Sequence, residues 1–192
     1  MVKLSFIVSC FEDPLNLTCC LASLRLQTVL DQYFTLEIRV ADNSVKRSKE
    51  VQEVCKMFEA NYHKCGGESC YNPSAKIAKS LETDWLCFAS SDGYYVSGFA
   101  STMLEVAVRL NSDLVYCNCL YDPRLHGRGI YSVLDTFPEM RWIDKTCFII
   151  KKSQFKGFPP HKQDWRDGAL VESFVKRGLK LDKAKGILVV HN

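Results

Sequence analysis

Acidic and hydroxyl side chains gather where the apolar runs of this chain stop. Residues 4–8 lead into Ser9-Cys10-Phe11-Glu12-Asp13, residues 36–41 into Asp42-Asn43-Ser44, and residues 85–89 into Ser90-Ser91-Asp92-Gly93. Two further acids, Asp164 and Asp167, stand in Gln163-Asp164-Trp165-Arg166-Asp167-Gly168, and His191 directly follows the apolar residues 187–190. Carboxylate oxygens suit divalent cations and proton abstraction, and imidazole can ligate a metal. Each position also has a structural reading. Residues 90–93 are a turn sequence, Asp42 suits an Asx turn or helix cap, and Asp164 or Asp167 suits an N-cap. Phe11 can pack on a core, Lys76 can be a solvated lysine, and a lone histidine near a chain end can be inert.

The elements that must position these residues follow from periodicity. Strands are predicted over 4–8, 36–41, 85–89, 113–119, 147–151 and 187–190. Pro14 suits a first helical turn, and Leu15, Leu17, Cys20, Leu21, Leu24 and Leu26 continue at mostly helical spacing to about Gln27. Further helices are predicted over 49–58, 75–81, 98–110 and 167–177, the last closed by Gly178. The first 120 residues thus repeat strand, polar loop, helix, which implies a parallel sheet with helices on both faces. Ligands of such sheets bind at the carboxyl ends of strands, so the three polar loops are expected to line one crevice. Residues 121–142 are rich in turn formers and aromatics (Tyr121, Pro123, Gly127, Gly129, Pro138, Trp142) and read as a mobile loop or lid.

Composition narrows the class. The chain has 192 residues, 47% hydrophobic and 24% charged, which suits one globular domain and excludes disorder, collagen-like repeats and coiled coil. No apolar run nears the roughly 18 residues a membrane span needs. The N-terminus lacks a signal-peptide layout, so a cytosolic location is expected. With 25 basic and 22 acidic side chains, no concentrated basic face marks a nucleic-acid binder. Lys46-Arg47-Ser48-Lys49 and the basic stretch 176–185 read as solvated faces. The ten cysteines are irregularly spaced and form no CxxC pair, so neither a disulfide framework nor structural zinc is expected. Cys87, Cys117 and Cys147 fall inside apolar runs and are expected to pack as small hydrophobes.

Taken in order, these pieces resemble the family 2 glycosyltransferases, inverting enzymes of the GT-A fold. Residues 4–14 look like the family's first strand and nucleotide loop, and Leu21, Ser23-Leu24 and Gln27-Thr28 look like its following helix. Glu37-Ile38-Arg39-Val40-Ala41-Asp42-Asn43-Ser44 resembles the second strand with its acidic end. Residues 85–93 fall where the family has a strand leading into Asp-x-Asp. The resemblance spans nearly the whole chain and rests on order and spacing.

It implies an α/β protein with a GT-A (Rossmann-like) mixed, mostly parallel central sheet flanked by helices. Residues 1–192 would be one domain, with 1–120 as the nucleotide-sugar-binding half. The acceptor-side half, 121–192, would carry the base helix and the terminal histidine. The donor would be bound by Ser9, Phe11, Glu12, Asp42, Lys76, Ser90 and Ser91. A divalent metal, Mn2+ or Mg2+, would be held by Asp92 and His191, and Asp167 would be the general base, with Asp164 as the alternative. The implied partners are a nucleotide-sugar, most simply a uridine diphosphate sugar, and a glycan, lipid-linked or protein acceptor. No nucleic acid and no integral membrane segment are implied, although peripheral attachment to a membrane is compatible with a lipid-linked acceptor. At this length no appended membrane segment or acceptor domain is expected, which leaves acceptor choice to residues 121–165 or to another protein.

Two departures from the family pattern stand out. Ser90 replaces the first Asp of Asp-x-Asp, and Arg166 replaces a Glu before the base. These keep open a catalytically weakened relative that binds a nucleotide or glycan. A nucleotidyltransferase would share the nucleotide-binding sheet, but Cys65-Gly66-Gly67 is a poor substitute for its Gly-rich basic loop. A cysteine-rich interaction module is the remaining alternative.

Overall fold

The computed structural model describes residues 1–27, 34–66, 70–121, 132–160 and 166–191. Their strands are β1 (Val2–Cys10), β2 (Phe34–Asp42), β3 (Asn61–Lys64), β4 (Trp85–Ser90), β5 (Gly93–Tyr95), β6 (Leu114–Tyr121), β7 (Ser132–Leu134), β8 (Phe148–Lys151) and β9 (Leu181–His191). The helices are α1 (Pro14–Arg25), α2 (Ser48–Met57), α3 (Tyr71–Ser80), α4 (Phe99–Leu110) and α5 (Arg166–Lys176).

Strand β1 is apolar on both faces because it lies inside the sheet, parallel to β2 on one side and to β4 on the other. Leu4, Phe6 and Val8 pack with Leu17 and Leu21 of α1, Val51 of α2, and Phe99 and Met103 of α4. Ile7 joins the opposite core, where Phe88, Phe148 and Ile150 meet Ile77 of α3 and Leu170 and Phe174 of α5. Alternating side chains of one sheet thereby feed two helical layers.

The strand order is β3-β2-β1-β4-β8-β6-β9-β5, with β7 paired to β6. The sheet is mixed. β3, β2, β1 and β4 run parallel, as do β6 and β9, whereas β8 is antiparallel to both β4 and β6. β5 is likewise antiparallel to β9. β3, β5 and β7 do not emerge from periodicity, since three or four residues carry too little pattern. Of the loop expected over 121–142, Tyr121 ends β6, 132–134 form β7, and 122–131 lie outside the described residues. No helix among the described residues is long and apolar enough to cross a membrane.

All ten cysteines are free, and Cys87, Cys117 and Cys147 are buried in the core as small apolar groups. Strand β9 carries an irregularity opposite β6. Ala184 to Gly186 stand against the single Cys117, and Gly186 has the left-handed φ of 100° that glycine tolerates.

Gln27, just past α1, joins that helix to the start of α4. Its amide nitrogen donates to the Ser23 and Val96 carbonyls, each at 3.0 Å, and its carbonyl accepts from the Ala100 amide at 3.0 Å. The Ala100 amide belongs to the first turn of α4 and has no partner within the helix. Gln27→Leu is therefore expected to leave the buried Ala100 amide without a partner and to cost about 1–3 kcal/mol, measurable as a lower denaturant midpoint.

Candidate functional site

The register of the parallel strands sets the site. Ser9 pairs with Ser90 and Cys10 with Asp42, so β1, β2 and β4 end at one level. Backbone bonds carry the ladder one step further, from the Asn43 amide to the Cys10 carbonyl and from the Ser91 amide to the Ser9 carbonyl. Beyond these ends opens a cleft of about 270 Å³ lined by Ser9, Cys10, Phe11, Asp13, Asn43, Cys70, Ser90, Ser91, Asp92 and Lys145. The three polar loops expected to share a crevice do share it.

The candidate donor residues divide. Ser9, Phe11, Ser90 and Ser91 line the cleft, Phe11 at its rim with 64% of its surface exposed. Asp42 does not line it. Its carboxylate is fully buried, accepting from the Ser44 amide at 2.8 Å and the Tyr62 hydroxyl at 2.8 Å, with Lys64 beside it. Burial alone would raise its pKa, but the Ser44 and Tyr62 hydrogen bonds outweigh that and hold it below the usual carboxylate range. Its neighbour Asn43 faces the cleft instead, and the buried Asn43 Oδ1 has no hydrogen-bond partner.

Glu12 also serves the scaffold. With a left-handed φ of 54°, it turns its carboxylate onto the amides of Val45, Lys46 and Arg47 at 2.7, 2.8 and 2.9 Å, just ahead of α2. Asp13 caps α1 through the Asn16 amide and side chain. Lys76 lies apart, in a smaller cleft with His63, Lys64, Cys65, Pro73 and Ile77.

Asp92 and His191 are brought together. β5 runs back along β9 with Gly93 opposite His191, which sets the imidazole beside Asp92. His191 Nε2 lies 3.4 Å from Asp92 Oδ1, and Nδ1 lies 3.9 Å from Asp144 Oδ2. Burial would push the imidazole down, but the carboxylates of Asp92 and Asp144 lift it to about 9. Sequence reasoning missed Asp144 because it belongs to no polar loop of the parallel strands. It precedes β8, and its Oδ1 accepts from the Thr146 amide and hydroxyl at 2.8 and 2.6 Å. A carboxylate between the buried Ile143 and an apolar strand was the available signal.

Asp167 stands in the first turn of α5. Its Oδ2 accepts from the Lys145 amide at 3.2 Å and its Oδ1 from the Gly168 amide at 2.9 Å, which ties α5 to the cleft wall. Burial, and then the negative charge of Asp144, raise its pKa to about 6. Asp164 lies outside the described residues. Lys145, also missed, lines the cleft through the turn that caps β8.

Solved structures share this fold. The chain superposes on S. aureus TarS with a TM-score of 0.72 at 15% identity, over 100% of this chain and 37% of that one. On S. aureus TarS 1-349 in complex with UDP-GlcNAc the TM-score is 0.71 at 16% identity, over 98% and 58%. On the mannosyltransferase PcManGT from Pyrobaculum calidifontis, in complex with GDP-Man and Mn2+, it is 0.74 at 12% identity, over 98% and 56%. No family model and no curated protein sequence matches the chain. The architecture is thus an α/β glycosyltransferase fold, a mixed sheet flanked by helices. The chain spans between about a third and three fifths of the length of these structures.

Among the described residues no group of three or more His, Cys, Asp or Glu side chains is gathered as a metal site. The pair Asp92 and His191 nevertheless fits a protein's partial share of one. Asp92 Oδ1, buried, meets only His191 Nε2 at 3.4 Å, and the buried His191 Nδ1 has no hydrogen-bond partner. Small divalent cations commonly take one or two protein ligands and complete their shell with phosphate oxygens and water.

Gly168 keeps this wall in place. A Cβ built on it would lie 2.8 Å from Met140 Cα, a backbone atom that cannot yield cheaply. Gly168→Ala should therefore push residues 137–142 off α5 and lower stability by about 1–3 kcal/mol, read as a fall in thermal midpoint.

Proposed function

We propose that this chain binds a nucleotide-diphosphate sugar in the cleft and transfers the sugar, with inversion, to an acceptor hydroxyl. The observation that carries this reading is the cleft at the carboxyl ends of β1, β2 and β4. There the buried Asn43 Oδ1 has no hydrogen-bond partner, and Asp92 Oδ1 meets only the His191 imidazole at 3.4 Å, which leaves both able to take a polar ligand. The likeness to structures holding UDP-GlcNAc and GDP-Man supports the donor class. We favour a uridine diphosphate sugar, with the whole chain acting as one domain. A glycan, a lipid-linked sugar or a protein hydroxyl would serve as acceptor.

In this reading Ser9, Phe11 and Asn43 bind the nucleoside, with Phe11 offering an exposed ring. Ser90 and Ser91 offer hydroxyls to the donor. Asp92 and His191 would hold a divalent cation, Mn2+ or Mg2+, whose positive charge offsets that of the departing nucleoside diphosphate. Asp167 is the base. The acceptor oxygen bonds to the anomeric carbon as its proton passes to the Asp167 carboxylate. The bond from that carbon to the diphosphate oxygen breaks, and its electron pair leaves with the diphosphate. A carboxyl group raised to about 6 is deprotonated at neutral pH yet more basic than an ordinary aspartate, as the role requires.

The test is release of UDP or GDP from a panel of nucleotide sugars with Mn2+ and candidate acceptors. Asp167→Asn should lower kcat by about 100-fold or more while donor KM changes far less, since it removes the base and one of two backbone contacts to the carboxylate. Because the base must be deprotonated to act, turnover should fall as pH drops through about 6 and level off above it. Donor binding without turnover, unaffected by Asp167→Asn, would leave the non-catalytic binding relative as the better reading.

A further inference from the structure

We infer that Lys145, flanked by Arg166, forms an anion subsite that holds the diphosphate of a nucleoside diphosphate without help from a divalent cation. The inference rests on the nucleotide-sugar reading above and assigns a charge that reading leaves open. Lys145 lines the same cleft as Asn43, Ser90 and Asp92. Its ammonium lies 3.6 Å from Cys70 Sγ and 5.4 Å from the centre of the Tyr71 ring. The Arg166 guanidinium lies 5.4 Å from the centre of that same ring. Two cations therefore converge on one aromatic ring at the cleft wall.

The charge of Lys145 is felt by the Asp167 carboxylate, though at longer range than an ion pair. Among the described residues, no carboxylate forms an ion pair with its ammonium. Asp167 binds the Lys145 backbone amide, Asp144 holds Thr146 and faces His191, and Asp13 is engaged by Asn16. A lysine at a half-buried cleft wall with no ion-pair partner among the described residues can take a counter-charge, and a ligand anion supplies it. The aromatic ring stabilises both cations meanwhile, through its electron-rich face.

The chemistry of the opposite wall points the same way. Ser90 is uncharged, so the cleft mouth holds one carboxylate fewer than an Asp-x-Asp pair would supply. That weakens the protein's hold on a cation and also lowers its repulsion of a diphosphate. Fixed ammonium and guanidinium groups aimed at a leaving phosphate can do the electrostatic work otherwise done by a metal. Lys145, and not Lys76, is the lysine that lines this cleft. Lys76 faces a separate cleft, whereas Lys145 lies on the turn before β8, the strand next to β4.

The experiment is titration calorimetry on the full chain in EDTA, comparing UDP with UMP and GDP with GMP. At least one diphosphate should bind about tenfold more tightly than its monophosphate, as an added charge-assisted contact implies. Lys145→Met should abolish that preference while monophosphate affinity stays within about twofold, since the lost contact is to the second phosphate alone. Lys145→Arg should retain the preference, and so should Lys56→Met, an exposed position near the end of α2. The Lys145 amide bond to Asp167 is made by the backbone and survives each substitution, and thermal unfolding confirms that each variant is folded.

Equal affinity for diphosphate and monophosphate in EDTA would overturn the inference and leave the nucleotide reading standing. So would a preference that survives Lys145→Met. Failure of every nucleotide to bind, with or without Mn2+, would overturn both.

Discussion

Everything at the site depends on one constraint, the in-register parallel pairing of β1 with β2 and β4. A strand buried on both faces cannot slip without moving Phe6 and Val8 off one helical layer and Ile7 off the other. The strand ends therefore fall at one height, and the loops that follow have nowhere to go but around a shared opening. Cross-links stiffen this rim. The Glu12 carboxylate holds three amides ahead of α2, and the Ser44 hydroxyl accepts from the Glu12 amide at 2.7 Å. The first and second loops are thus a single hydrogen-bonded unit.

The second half of the chain completes the opening by insertion. β8 enters between β4 and β6, antiparallel to both, and carries Asp144 and Lys145 on the turn before it. β9 delivers His191 from the other side, beside β5. The result is an alternation of charge across a few ångströms: Asp92, His191 and Asp144 in sequence, then the backbone of Lys145, then Asp167. Each buried charge is tolerated because an opposite charge or an amide faces it. Asp144 contributes to both elevated pKa values, adding to burial at Asp167 and to the Asp92 contact at His191.

Much of this was legible in the sequence. Buried parallel strands read as unbroken apolar runs, and the polar residues that end them read as a site, so the sheet and its three loops could be anticipated. The pairing of Asp92 with His191 was implied by the family resemblance and not by the strand ends themselves. Two kinds of detail were not legible. Parity at a strand end decides whether Asp42 or Asn43 faces the cleft, and residue types do not reveal it: the acid went inside, where Tyr62 and Ser44 satisfy it. Long-range insertion was equally hidden. Nothing near Lys145 in the chain announces that β8 will carry it to the mouth of β1, and Lys76 was the nearer candidate only along the sequence.

The irregularity in β9 has a geometric consequence. Between Lys183 and Val189, Ala184 to Gly186 face only Cys117, and Leu188 then faces no residue of β6. The strand thus carries three more residues than its partner over that interval, an odd number. Side chains alternate sides along a strand, so an odd surplus exchanges the two sides downstream of it. A β9 that kept step with β6 would present its terminal imidazole to the opposite layer from Asp92. The irregularity acts as a frame-setting device: the length of the segment 184–188, more than its chemistry, decides whether the carboxylate and the histidine meet.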